Sequence, residues 1–153
     1  MEEEFLKAAL EEAKLALAIN EVPVGAVIVK EGKIISRAHN LRETLRDPLA
    51  HAEILAIKQA SDIMDDWRLT GCELYVTLEP CPMCAGAIIQ SRIKRVYIGC
   101  FDPKAGACGS VINVVQHPSW NHFVDVKWLY DEECNNLLTD FFKSKRTMVF
   151  KLR

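Results

Sequence analysis

Phe5, Leu6, Ala9, Leu10, Ala13 and Leu17 recur at three- and four-residue steps. That spacing lays one apolar stripe along an amphipathic helix. The period then changes. Residues 22–30 form an apolar, β-branched run, and Glu31-Gly32-Lys33 turns the chain into a second strand at 34–37. Together they predict a β-hairpin. Asp47-Pro48 marks the start of a helix whose apolar positions are Ile54, Leu55, Ile57 and Ala60. Farther on, the pattern reads as a strand at 74–78, a helix at 83–91 and a strand at 95–98. A loop of glycines and small residues follows at 99–110, then a fifth strand at 123–128 and a last helix at 131–144. Helices alternate with strands after the opening hairpin. The fold class is therefore α/β, a three-layer α/β/α sandwich with a mixed five-stranded sheet.

A chain of 153 residues, 50% hydrophobic and 26% charged, has the size of one domain spanning 1–153. It can bury roughly two-thirds of its unfolded surface without a disulfide. No repeat, low-complexity tract or Pro/Gly/Ser-rich linker marks a boundary. No apolar run reaches the ~18 residues of a membrane span. The acidic start, Met1-Glu2-Glu3-Glu4, has the wrong charge for a secretory leader. A cytoplasmic protein is expected, whose 6 cysteines serve as reduced thiols or metal ligands rather than bridges.

The net charge of −2 is not that of a protein that coats long nucleic acids, whose domains often have a pI above about 9. Its distribution is uneven. The first 70 residues carry 9 basic and 13 acidic side chains, the remainder 10 and 8. The last eleven residues include Lys143, Lys145, Arg146, Lys151 and Arg153, with no carboxylate side chain. Such cations can displace counterions from phosphates or complement a helix C-terminus. Charge alone leaves both readings open.

Two segments carry chemistry: His51-Ala52-Glu53 and Pro80-Cys81-Pro82-Met83-Cys84. Proline suits the first helical turn, where its missing N–H costs no hydrogen bond. Cys81 and Cys84, three residues apart, then share one side of a helix start and can hold one ion. His51 and Glu53 would diverge by about 200° within a regular helix. At a helix N-terminus both can still reach a ligand lying beyond its end. His51, Cys81 and Cys84 form a three-ligand N/S set suited to Zn²⁺, with the fourth tetrahedral position left for water. Two thiolates and an imidazole leave the cluster near neutral, so a base is needed beside it. Glu53 is the candidate proton shuttle for a zinc-activated water. A structural zinc or a buried thiol pair would explain Cys-x-x-Cys alone. The joint pattern with His-x-Glu points to catalytic zinc.

These motifs identify the chain as similar to the cytidine/deoxycytidylate deaminase superfamily. Within it the chain resembles the bacterial branch that acts on tRNA adenosine. The likeness runs along nearly the whole length. It is strongest at Glu21-Val-Pro-Val-Gly-Ala26, Asp47 through Glu53, Leu74-Tyr-Val-Thr-Leu-Glu-Pro-Cys81 and Cys84-Ala-Gly-Ala87. Asp102 through Ser110, Asn121-His122 and Phe141-Phe142 are the pieces that point to the tRNA branch.

The resemblance implies a cytidine-deaminase-like fold. It implies a homodimer with one zinc per subunit, converting adenosine to inosine at wobble position 34 of the tRNA anticodon stem-loop, chiefly of tRNA-Arg. His51, Cys81 and Cys84 match the zinc ligands and Glu53 the proton shuttle. Asn40 matches a residue that hydrogen-bonds the flipped nucleoside, and Val24 an apolar wall of the base pocket. Asp102 and Lys104 match a loop that contacts the flanking nucleotides. Phe123 follows Asn121-His122 where a basic residue is common in the family. Neither DNA nor a membrane is expected as a partner.

Two other functions stay open on the residues alone. A deaminase of a free base or nucleoside, such as guanine or cytidine, would keep the same zinc chemistry. A non-enzymatic RNA-binding subunit could keep zinc for structure, although it would have no use for Glu53.

Overall fold

A computed structural model describes the backbone of residues 1–151 and the side chains through residue 146. Arg153 and the side chain of Lys151, two of the five C-terminal cations, lie outside the described residues. The elements run α1 (Glu2–Ala18), β1 (Gly25–Lys30), β2 (Lys33–His39), α2 (Arg42–Leu45), α3 (Ala52–Met64), β3 (Cys72–Leu78), α4 (Pro82–Gln90), β4 (Arg95–Cys100), β5 (Asp125–Trp128) and α5 (Glu132–Lys151). The five strands form one sheet in the order β2-β1-β3-β4-β5. β1 is antiparallel to both β2 and β3, whereas β3, β4 and β5 are parallel. The sheet is mixed, as the alternation of elements predicts.

The hairpin turn is tighter than its three-residue signal. Lys30 pairs with Lys33, leaving Glu31 and Gly32 at φ 50° and 76°. Two consecutive positive φ angles match the right-handed twist of the strands they join.

Side chains alternate across the sheet, and helices cover both faces. On one face, Phe5 of α1 packs against Tyr75, which stacks on Tyr97 at 4.1 Å. Gly25 lies on that face, where a Cβ would overlap the α1 backbone at Ala9 and Ala13. Only hydrogen in place of a side chain lets α1 come this close. Gly99 does the same for α5, at the position of Cys134. On the other face, the Ser36 hydroxyl donates to the carbonyl of Ala56 in α3 at 2.9 Å. Ile28, Leu74 and Val96 follow Ser36 in register across that face, all fully buried. α4 packs beside α3. The result is the three-layer sandwich.

The boundaries moved where local hydrogen bonds overrode periodicity. α3 starts at Ala52, not at Asp47-Pro48. The Asp47 carboxylate accepts the Leu49 N–H at 2.9 Å and the Asp47 carbonyl accepts the Ala50 N–H at 3.1 Å. That Asx-type turn occupies the groups a helix would need. The short α2, invisible to periodicity, fills the span before it. β1 begins three residues after 22, where the Val24 N–H bonds back to the Val22 carbonyl at 2.8 Å. β5 begins at Asp125 rather than 123, while α5 continues beyond 144 to Lys151. Among the described residues, no helix is long and apolar enough to cross a membrane.

Candidate active site

α3 and α4 begin in the same way. His51 caps α3 with an extended backbone (φ −75°, ψ 152°), and Cys81 caps α4 likewise (φ −73°, ψ 173°). Extended geometry at an N-cap throws the side chain off the helix end instead of around its flank. Pro82 occupies the first helical turn, and Cys84 sits one turn from Cys81. His51 therefore stands outside the helix proper, and the divergence from Glu53 expected in mid-helix does not arise.

His51 Nδ1 lies 3.6 Å from Cys81 Sγ and 3.5 Å from Cys84 Sγ. All three donor atoms fall within 4.8 Å of one another. A tetrahedral zinc with bonds of about 2.0 Å to nitrogen and 2.3 Å to sulfur needs its N and S ligands about 3.5 Å apart. The donor set fits that ion in both chemistry and spacing.

The two helix N-termini face the cluster, and their amide dipoles favour thiolate there. Cys81 is held down to about 4, chiefly by the hydrogen bond from the Cys84 thiol and further by His51, against the cost of burial. Its partner Cys84 is pushed up by that same hydrogen bond and by burial. A metal held here would take both sulfurs as thiolates. The hydrogen bond to Cys81 raises His51. Glu53, 4% exposed, is pushed up to about 7, first by burial and then by the Cys81 charge. A carboxyl near neutrality can both accept and return a proton.

A cavity of about 260 Å³ opens in front of this cluster, lined by Val24, Asn40, Arg42, His51, Glu53 and Cys81, with Asp102, Ala105 and Phe142 among its other walls. Of the sequence-predicted residues, Val24, Asn40, His51, Glu53, Cys81 and Asp102 share it, and Cys84 is fully buried behind. Lys104 lies next door. It lines a second cavity of about 290 Å³, with Arg146, that shares Asp102 and Phe142 with the first. A third, of about 640 Å³, lies beyond Asn40 and is lined by Arg42 and Lys145, again reaching Phe142. The cavity before the His51, Cys81 and Cys84 cluster thus adjoins two others, and the three together are lined by Arg42, Lys104, Lys145 and Arg146.

Asn40 performs the turn role as well. Its Oδ1 accepts the Arg42 N–H at 3.0 Å and its Nδ2 donates to the Val22 carbonyl at 3.3 Å. One lone pair and one N–H remain for a ligand.

Two buried glutamates were not anticipated. Glu21, 1% exposed, accepts the N–H groups of Glu43 and Thr44 at 3.1 and 2.7 Å and the Thr44 hydroxyl at 2.7 Å, anchoring α2 and with it Arg42. Glu79, 2% exposed, does the same for the loop after β4. Their sequence signal is weak, because a lone glutamate between apolar residues looks like any surface position. Cys72, Cys100, Cys108 and Cys134 are buried reduced thiols, in keeping with their reading as small apolar residues. His122 bonds the Ile93 carbonyl at 2.8 Å, and Phe123 is 60% exposed.

Residues 1–146 match the model of the MafB19-like deaminase family. A tRNA-specific adenosine deaminase of Aquifex aeolicus is 54% identical over 149 residues, which cover 96% of this chain and 97% of that protein. A structure solved in work on A-to-I editing by tRNA:A34 deaminases at the wobble position of transfer RNA superposes with a TM-score of 0.85 at 44% identity, covering 88% of this chain and 99% of the other. A guanine deaminase of Bacillus subtilis superposes with a TM-score of 0.62 at 42% identity, over 65% of this chain and 64% of its own.

Proposed function

The chain belongs to the MafB19-like deaminase family, and from that premise we propose that it hydrolyses adenosine to inosine at position 34 of tRNA anticodons, chiefly tRNA-Arg. One observation carries the choice of an RNA over a free base. The site cavity adjoins two others, one lined by Lys104 and Arg146 and one by Arg42 and Lys145, and Arg42 lines the site cavity as well. A free base needs one closed pocket, whereas a looped strand brings phosphates on both sides of the flipped nucleotide. The likeness to tRNA-specific relatives over almost the full length supports the same reading.

His51, Cys81 and Cys84 hold one Zn²⁺. When bound, that ion lowers the pKa of water and so supplies the nucleophile at neutral pH. Glu53 takes a proton from the water as it adds to C6 of adenine and delivers it to N1. It then moves a second proton to the departing amine, so that water and adenosine leave as ammonia and inosine. Val24 walls the base, and Asn40 uses its remaining donor and acceptor on the nucleoside. Asp102 and Lys104 meet the flanking nucleotides. A single domain, 1–153, carries these parts in the cytoplasm. A homodimer is supported by Leu45, Leu49, Ile63 and Trp67, apolar side chains exposed from α2 to just beyond the end of α3.

The test is zinc-loaded protein given an anticodon stem-loop with adenosine at 34, alongside free adenosine, guanine and cytidine. Inosine at position 34, with ammonia released in equal amount, is the expected result. Rapid turnover of guanine or cytidine with none on the RNA would overturn the proposal. Inosine sequencing of bulk tRNA then reads the tRNA-Arg preference, and sedimentation at micromolar concentration reads the dimer.

A further inference from the structure

The geometry points to Glu79 as a positioning residue for the reaction, one that holds the loop wall of the cavity through a buried carboxylate. Glu79 follows directly on β3, and its own N–H bonds the Cys100 carbonyl at 2.9 Å. Four donors from the loop after β4 converge on its two oxygens. Oε1 accepts the Asp102 N–H at 2.9 Å, and Oε2 accepts the N–H groups of Cys108 and Ser110 at 3.0 and 3.1 Å. The Ser110 hydroxyl donates to Oε1 as well. The next residue continues the tie, the Pro80 carbonyl accepting the Ala107 N–H at 2.9 Å. Cys81 comes immediately after. The short segment that leads into the proposed ligands therefore also carries the far wall.

The loop is shaped to be held in this way. The Asp102 carboxylate accepts the N–H groups of Lys104 and Ala105 at 2.9 and 3.2 Å, and its carbonyl accepts the Gly106 N–H at 3.0 Å. Gly106 must lack a side chain, because a Cβ there would overlap the Glu79 carboxyl. Asp102 and Ala105 from this turn line the site cavity, and Lys104 lines its neighbour. A carboxylate can accept all four hydrogen bonds. The amide of glutamine would aim N–H groups at N–H and O–H donors on one side. Isosteric replacement is thus a severe change here, although no charged partner is lost from the loop.

The inference rests on the deaminase reading above, and the two fail differently. Glu79→Gln is compared with the wild type on the anticodon stem-loop, with zinc content and amide exchange measured on both. Glu79→Gln is expected to raise KM by about tenfold or more and change kcat by less than about threefold, because the wall that receives the RNA has loosened. Zinc should stay at one per chain. Exchange should accelerate at the amides of Asp102, Cys108 and Ser110, but not in β1 or β3. Unchanged exchange at those three amides, or a loss of zinc and kcat with KM unmoved, overturns the inference. If Glu79→Gln fails to accumulate as folded protein, Ser110→Ala takes its place, with KM expected to rise about threefold and Asp102 exchange to accelerate. No change in either quantity again overturns it. A wild type inactive on RNA would instead sink the proposed function, while the exchange result still judges the role of Glu79.

Discussion

Glu53→Gln keeps the shape of a buried side chain and removes its ability to carry a proton, so its effects on rate and stability should have opposite signs. The rate should fall by about 10²- to 10⁴-fold, the usual contribution of a positioned acid–base group. That is about 3–5 kcal/mol of barrier. Stability should move the other way in metal-free protein. Burial pushes the Glu53 carboxyl from 4.5 up to about 7. Each tenfold step in acidity is worth about 1.36 kcal/mol, so the ionised form costs the fold about 3 kcal/mol. A raised folded-state value means that the stability associated with the protonated carboxyl is fully present below pH 4.5 and lost as the pH rises through about 7. The assay is urea unfolding of chelator-treated wild type and Glu53→Gln across pH 4 to 8. The variant should match the wild type at the acid end and exceed it by about 3 kcal/mol at pH 8. A difference that stays constant with pH, or a variant that deaminates at the wild-type rate, would refute the reasoning.

Removing zinc with a chelator should abolish deamination and stoichiometric zinc should return it, whereas Cys84→Ala should bind no zinc and stay inactive, as read by metal analysis. Glu21→Gln should cost about 1–3 kcal/mol at pH 7, because it frees the α2 amides that Glu21 anchors. Burial opposes ionisation of Glu21, but the Thr44 hydroxyl, the Thr44 and Glu43 amides and the Arg42 charge together hold its carboxyl below the usual 4.5. Its contribution is therefore present above pH 4.5 and lost as the pH falls through the lower folded value, and urea melts of the variant should lack that acid-side decline. Gly25→Ala should cost about 1–3 kcal/mol by forcing α1 off the sheet, lowering Tm by about 3 °C per kcal/mol. A Tm unchanged in that variant would mean that α1 is free to shift.

The sequence by itself determined the order and type of the main elements, because a 3.6-residue period in α1 and α3 and β-branched runs in β1 and β3 are local properties of a chain facing one core. It also pointed to His51, Cys81 and Cys84 as one donor set, which the structure brings within 4.8 Å. His51, Cys81 and Cys84 have few other reasons to occur beside helix starts, and Pro82 marks one of those starts. The beginning of α3 was not legible, because the Asp47 turn competes with a helix through hydrogen bonds rather than through periodicity. Nor were Glu21 and Glu79. Each is a single polar residue whose burial depends on segments about 20 to 30 positions away, Thr44 for one and Ser110 for the other. Only the tertiary structure could bring two helix N-termini face to face and set Cys81 apart from Cys84 in acidity. It alone gathered Lys104, Arg146, Arg42 and Lys145 around the site cavity and the two cavities that adjoin it. Charge in a sequence is counted along the chain, whereas a polyanion meets it across a surface.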